Sequence, residues 1–384
     1  MKRIFFLLVF VAAMAAWCTP SFAAPARETF NGASIFTMTA IGELGGVDMT
    51  GQGGGGTLNV GVAGTQMDVF SANNPLGTWP GVAISTDDVT SNLSDIVFLG
   101  SSNVYGDIGL TLPAGPYFRN IFAQDAGATV NFSGSVFART LNVGTGTVNF
   151  NSGTITNAAA ANFTGDGKIS LAANTTVTGA LTTAAGAQTG TLELGSESHW
   201  LGAVGGAVGL RAINVVGGDN TAGVSASITG AVDTYSLSLG TNTLNITGAL
   251  TLHDAGVIDT TLASPTVYGK IIPTGFATIG ATLGVDVTVP STAYIPVGTL
   301  FNIVDATSGT DGSVVTVTVQ DPTNPLYKFS ADPLTGTTVG KVTIKTDTIP
   351  MMVPIAPPPG VVLPPVAPIA APVVPVLIAI PTPS

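Results

Sequence analysis

A chain of 384 residues has room for two or three ordinary domains, yet only 9% of it is charged and 49 positions are glycine. At 45% hydrophobic it is too apolar for a disordered chain. A formal net charge of −11 with no run of Lys or Arg excludes the footprint of a nucleic-acid binder; acidity spread this thinly keeps a protein soluble and does not name a ligand.

Residues 1–23 read as a secretory signal. Lys2-Arg3 supplies the positive end, Ile4 to Ala16 the apolar stretch, and Ser21-Phe22-Ala23 a small-x-small cleavage site. The apolar run is short for a bilayer span, so cleavage after Ala23 is expected, which takes the charge to −13. The sole cysteine, Cys18, lies within this segment, and Trp17 stands where a lipidation site would need a small residue. The mature chain then carries no thiol, which excludes disulfides, cysteine metal sites and a cysteine nucleophile.

Residues 24–94 are expected to be irregular. The glycine run Gly53 to Gly56 has no Lys-Ser/Thr after it and no helical pattern opening behind it, so it reads as a turn and not a phosphate cradle. Asp87, Asp88 and Asp95 read as a weakly acidic, solvated patch.

The regular rhythm runs over residues 95–265. Ala128-Thr-Val-Asn-Phe132-Ser-Gly134 recurs as Gly146-Thr-Val-Asn-Phe150-Asn151-Ser-Gly153, with looser echoes at Gly190–Gly195, Tyr235–Gly240 and Gly248–Leu252. Short alternating runs closed by Gly, Asn or Ser at a period near 20 residues imply stacked units, none of which can bury its apolar face alone. The predicted fold class is all-β, a right-handed parallel β-helix of about six coils between residues 127 and 265, at roughly 20 to 25 residues each. Alternation places Phe132, Phe150, Leu192, Leu194, Leu237, Leu239, Leu250 and Leu252 inward, with Asn131, Asn149 and Asn151 extending polar ladders or forming turns. A β-sandwich is the competing architecture.

Residues 266–349 carry longer, more apolar strands, such as Val297-Gly-Thr-Leu-Phe-Asn-Ile-Val304 and Ser313 to Val319, as expected of a C-terminal β cap. Residues 350–384 hold twelve of the 25 prolines and no charge, and read as an extended, disordered Pro-rich linker.

Chemistry is sparse. The two histidines, His199 and His253, are far apart and read as exposed loop residues; Asp254 beside His253 is the nearest approach to a hydrolase arrangement, but no Gly-x-Ser-x-Gly elbow occurs. Paired carboxylates of the glycosidase kind would have to come from Glu193 with Glu197 or Asp254 with Asp259, all of which read more simply as solvated turns. Gly217-Gly218-Asp219 is an isolated fragment of a calcium-repeat phrase. Five Asn-x-Ser/Thr tripeptides, at Asn92, Asn131, Asn162, Asn174 and Asn245, are a by-product of composition. Trp79 and Trp200 are candidate partner anchors, although packing against a glycine turn is preferred. No catalytic, cofactor-binding or metal-ligating residue is expected.

The run from Tyr268 through Gly280-Ala-Thr-Leu283 to Val304 resembles the end of an autotransporter passenger, and Ser238 to Leu252 is similar to the large rickettsial-type surface antigens of that class. The resemblance covers roughly residues 95 to 347. It implies a β-helical surface antigen, exported to the cell surface, the outer membrane or the medium, acting without enzymatic chemistry as an adhesin on host or neighbouring-cell molecules, protein or glycan. Members of that class carry a C-terminal barrel. Here the chain stops at Ser384, so the expectation is a separately encoded outer-membrane barrel, retention in the periplasm, or the remnant of a split gene. A polysaccharide-degrading enzyme on the same scaffold is the alternative.

Overall fold

The computed structural model describes residues 28–31, 35–38, 43–44, 46–50, 55–70, 81–86, 93–109, 118–151, 154–217, 225–309, 316–320, 327–331 and 341–348. The chain divides into Met1–Ile349 and Pro350–Ser384, and all the described residues belong to the first unit. The signal segment and the Pro-rich tail lie outside them.

Every regular element among the described residues is a β-strand. Strands of about four to six residues between turn-formers have too few neighbours in sequence to fill a core. Each therefore pairs with its counterpart one coil further along. One coil lays a strand on each of three faces. In the fourth coil these are Asp107–Ile108, Phe118–Ala123 and Thr129–Phe132. In the fifth, one bent strand, Val136–Val143, serves the first two faces by pairing with both Ile108 and the Phe118 strand, and Thr147–Phe150 forms the third. The third face is continuous and parallel, from Glu43↔Asp68 at one end to Asp286↔Gln320 at the other. The parallel β-helix expected from the sequence is the fold.

The inward rows are ladders of like residues. All eight residues expected to point inward are buried. Phe132 lies in register with Phe150, ring centroids 5.5 Å apart, and meets Phe98 of the second face edge-on at 5.8 Å. On the first face Ile108, Val136, Thr156, Val177, Trp200, Ile228 and Ile246 succeed one another through seven coils. Burying one such aliphatic or aromatic side chain is worth about 1.5–3 kcal/mol, so the repeated interior supplies most of what holds the coils together.

Glycine has a specific place at the corner between the first and second faces. Gly179, Gly202, Gly230, Gly248 and Gly275 occupy it in five consecutive coils. A methyl group on Gly179 would sit 1.9 Å from the Ala158 carbonyl oxygen, and its φ of +132° is closed to other residues. The backbones of successive coils approach too closely there for any side chain.

Two boundaries differ from the sequence reading. Parallel pairing begins at Glu28↔Val47, so strands between residues 24 and 94 already belong to the stack. Their rhythm is hidden because turns there are long: equivalent residues are 35 apart at Asp68 and Asn103, against 18 at Asn131 and Asn149. At the other end the parallel stack runs past residue 266, through Lys270–Pro273, Ala277–Ile279 and Thr282–Thr288. Leu300–Asp305 still joins the Lys270 strand in parallel on one side, and pairing reverses on its other side. Leu300–Asp305 and Lys328–Ala331 flank Lys341–Thr348, both antiparallel to it, with Phe301, Ile303, Val304, Val342 and Ile344 buried beneath. An antiparallel layer at the end of a parallel stack covers strands that would otherwise offer an open template.

Candidate functional site

The outward row of the third face is built from short polar side chains. Asn103 donates to the Asp68 carboxylate, Asn131 to Asn103 and Asn149 to Asn131, each at 2.7 Å. The row continues in register through Ser170 and Glu193, which are hydrogen-bonded at 2.7 Å, with Lys168 Nζ 3.5 Å from the Glu193 carboxylate. An amide donates and accepts at once, so identical amides one strand spacing apart satisfy each other. Asn151 does the same toward the Ser133 hydroxyl at 2.6 Å.

Asp95 is not in a solvated loop. It opens a strand, is buried, and accepts from Arg119 Nε and Asn120 Nδ2, both at 2.9 Å, with a second Arg119 nitrogen on its other oxygen. That hydrogen bonding, aided by the carboxylate charge and opposed by partial burial, holds the Arg119 guanidinium above its ordinary value. Asp87 and Asp88 lie outside the described residues.

The two histidines have different surroundings. His199 is exposed on the first face, with Nδ1 2.6 Å from the Ser227 hydroxyl. His253, expected in an exposed loop, is half-buried: its ring stacks on Tyr235 at 4.3 Å between centroids, and Nε2 lies 2.5 Å from Asp233. The facing carboxylate is Asp233, one coil back, and not the adjacent Asp254. Successive residues of an extended chain point to opposite sides, and Ala255, at φ +58°, turns the backbone there. Asp254 instead accepts the Ala281 amide. Among the described residues no hydroxyl bonds the His253 ring, so a Ser-His-Asp arrangement is not assembled around it.

The carboxylate pairs suggested by sequence spacing are likewise not brought together. Glu193 belongs to the polar row, whereas Glu197 is exposed in a turn at φ +53°. Asp254 and Asp259 are separated by the bend at Ala255. Asp259 has Asp286 as its register partner on the next coil. Loss of hydration and then the neighbouring negative charge raise the Asp259 pKa. Among the described residues no three His, Cys, Asp or Glu side chains converge as a metal site would require. Asp219, Asn92 and Trp79 lie outside those residues. Trp200 is fully buried, and its indole N–H donates to the Gly179 carbonyl at 2.8 Å, so it packs on the glycine corner and does not present to a partner.

One feature the sequence reading missed lies at the corner between the second and third faces. In the second coil that corner is a five-residue turn, residues 61–65; in the fourth it is residues 124–128; in the third it is only Leu99-Gly100. Gly64 and Gly127 stand at the two longer turns with φ of +76° and +74° and open space around them. Gly100 is tucked underneath, where a Cβ would meet the carbonyl oxygens of Val62 and Thr65 at 2.6 Å. A notch results, with a cleft of about 640 Å³ on the second-face side floored by Val97 and Leu99 and another of about 380 Å³ on the third-face side reaching Gln66 and Ser101. Asp125 borders both. The signal that could have revealed it is the glycine spacing around 61, 64, 100 and 127, which is readable only once the coils are aligned.

Comparison with models of known protein families finds no match to this chain, and comparison with curated proteins finds none either.

Proposed function

We propose that this is an exported, non-enzymatic surface protein: an autotransporter-like passenger that acts as an adhesin or structural surface antigen. It binds a host or neighbouring-cell molecule, protein or glycan, through its faces and corner turns. The observation that carries this reading is the long third face, parallel over its whole described length, in whose outward row Asp68, Asn103, Asn131 and Asn149 are joined coil to coil by side-chain hydrogen bonds, as are Ser170 and Glu193. Such a face is regular from coil to coil, which suits a display scaffold. The signal segment 1–23 and the Pro-rich stretch 350–384 support export and tethering.

The test is to label intact cells of the source organism with an antibody raised against residues 127–265, and to measure attachment of the purified chain to host cells. Surface labelling with saturable attachment is expected. Labelling that appears only after the outer membrane is permeabilised, with no attachment, would overturn the proposal.

One observation favours a second reading, polysaccharide hydrolysis. In-register residues of adjacent strands are about 4.8 Å apart, close to the ~5–5.5 Å between the two carboxylates of retaining glycosidases. Asp259, with its raised pKa, would be the acid and Asp286 the nucleophile. Release of reducing sugar by the wild-type chain, lost in Asp286→Asn, would decide for it.

A further inference from the structure

We propose that the corner notch between residues 61–65 and 124–128 is a binding site for a lysine or arginine side chain carried on an extended segment of a partner protein. The adhesive reading above is needed only for where that partner comes from; the site itself stands on its own geometry.

The dimensions come first. The two walls belong to the second and fourth coils, so they stand two strand spacings apart, roughly 9.5 Å. The third coil takes only Leu99-Gly100 where its neighbours take five residues, so among the described residues no turn of that coil fills the space between them. An extended chain placed in that gap would lie about one strand spacing from each wall, the ordinary separation of neighbouring strands. The glycine at position 100 keeps the floor low, because the carbonyls of Val62 and Thr65 already occupy the place of a Cβ.

The lining then selects the side chain. Toward the second face the surface is apolar, formed by Val62 (41% exposed), Ala63, Val97 and Leu99. At its end stand Gln124 and Asp125, whose side chains make no hydrogen bond or ion pair within the described structure. Asp125 is the only ionisable group among the described residues that line either cleft. An apolar trough ending in one unpaired carboxylate complements an aliphatic stem ending in a cation, which is the anatomy of lysine and arginine. Charge agrees at longer range. Asp68, two residues beyond Gln66 and within reach of its amide, adds negative potential on the third-face side, and the chain as a whole is acidic. The closest cation along the fourth coil, Arg119, is already engaged by Asp95. A neutral glycan fits less well, since among the described residues no aromatic ring lines the notch except the buried Phe98, and its hydroxyls would leave Asp125 without a counter-charge.

The experiment uses the full chain and a labelled hexapeptide with blocked ends, alternating serine and valine around one central lysine, read by fluorescence anisotropy. The same peptide with acetyl-lysine and the neutral oligosaccharide cellohexaose serve as comparison probes. Binding of the lysine peptide is expected, weakened about threefold or more by acetylation and by Asp125→Asn, and retained in Asp125→Glu. Ala63→Trp, on an exposed turn, should fill the trough and abolish binding while the circular dichroism spectrum stays unchanged. The proposal is overturned if the lysine peptide does not bind, if Asp125→Asn binds it less than about threefold more weakly than wild type, or if cellohexaose binds and is the probe that Ala63→Trp displaces. Peptide failure with cell attachment intact removes the notch assignment alone; attachment failure with peptide binding intact removes the adhesive reading alone.

Discussion

Asp259 and Asp286 occupy the same register position on adjacent coils, both facing outward from the third face. Asp259 therefore binds its proton more tightly in the folded chain than in the unfolded one, through lost hydration and then the Asp286 charge. The folded state holds more protons than the unfolded state between the ordinary carboxylate value and the raised one. Stability from this group is thus fully present below the unfolded value and declines as pH rises through the window. Asp259 keeps an exposed side chain, so the effect is small. Asp259→Asn should flatten that part of the pH–stability curve and raise the melting temperature at pH 7 by no more than about 2 °C. Thermal scans from about pH 3 to pH 7 would check it, and an unchanged pH dependence would contradict the pairing.

Thr156 sits fully buried in the first-face ladder between Val136 and Val177, and its hydroxyl has no hydrogen-bond partner among the described residues. A buried, unsatisfied hydroxyl costs about 1–3 kcal/mol relative to an apolar group of the same shape. Thr156→Val should therefore stabilise the chain, raising the urea midpoint without changing the slope. A fall in midpoint would mean that the hydroxyl is satisfied after all.

Gly179 predicts the opposite. Its φ of +132°, and the Ala158 carbonyl oxygen only 1.9 Å from where a methyl group would stand, leave no room for alanine. The carbonyl of Gly179 also receives the Trp200 indole N–H, so displacing it would disturb a fully buried ring. Gly179→Ala should cost about 2–4 kcal/mol and redshift the tryptophan emission. Gly64→Ala, where nothing lies within 4 Å, should cost less, since only its φ of +76° opposes the change.

Asn131 both donates to Asn103 and accepts from Asn149. Asn131→Ala breaks two bonds of the outward ladder on a half-exposed face, at a cost of about 1–2 kcal/mol. A double-mutant cycle with Asn149→Ala should show coupling, because the second substitution removes a bond the first has already broken. Strict additivity would place the ladder's contribution elsewhere.

Some of this was legible in the residues. The phrase Thr-Val-Asn-Phe at 129–132 and again at 147–150 announces both its repetition and its inward and outward sets, since alternation is a property of adjacent residues. The pairing of His253 with Asp233 was not legible. It joins residues 20 apart, while other contacts between adjacent coils join residues 18 to 37 apart. Nothing in the local sequence says which of several acidic residues will arrive opposite the ring. Asp95 was misjudged for the same reason: its partners Arg119 and Asn120 come from the next coil. The notch is harder still, because it consists of a short turn flanked by long ones, a difference that exists only between coils already set side by side.

That the chain is β, that its strands are short and that particular side chains are buried could all be read along the sequence. Those properties follow from the two-residue period of an extended backbone and from turn chemistry at glycine. What lies above what came from the folded stack alone. Turn lengths vary from coil to coil, so register is chosen by the stack as a whole, which matches apolar rows to one another and lets the outward polar groups fall where that match puts them.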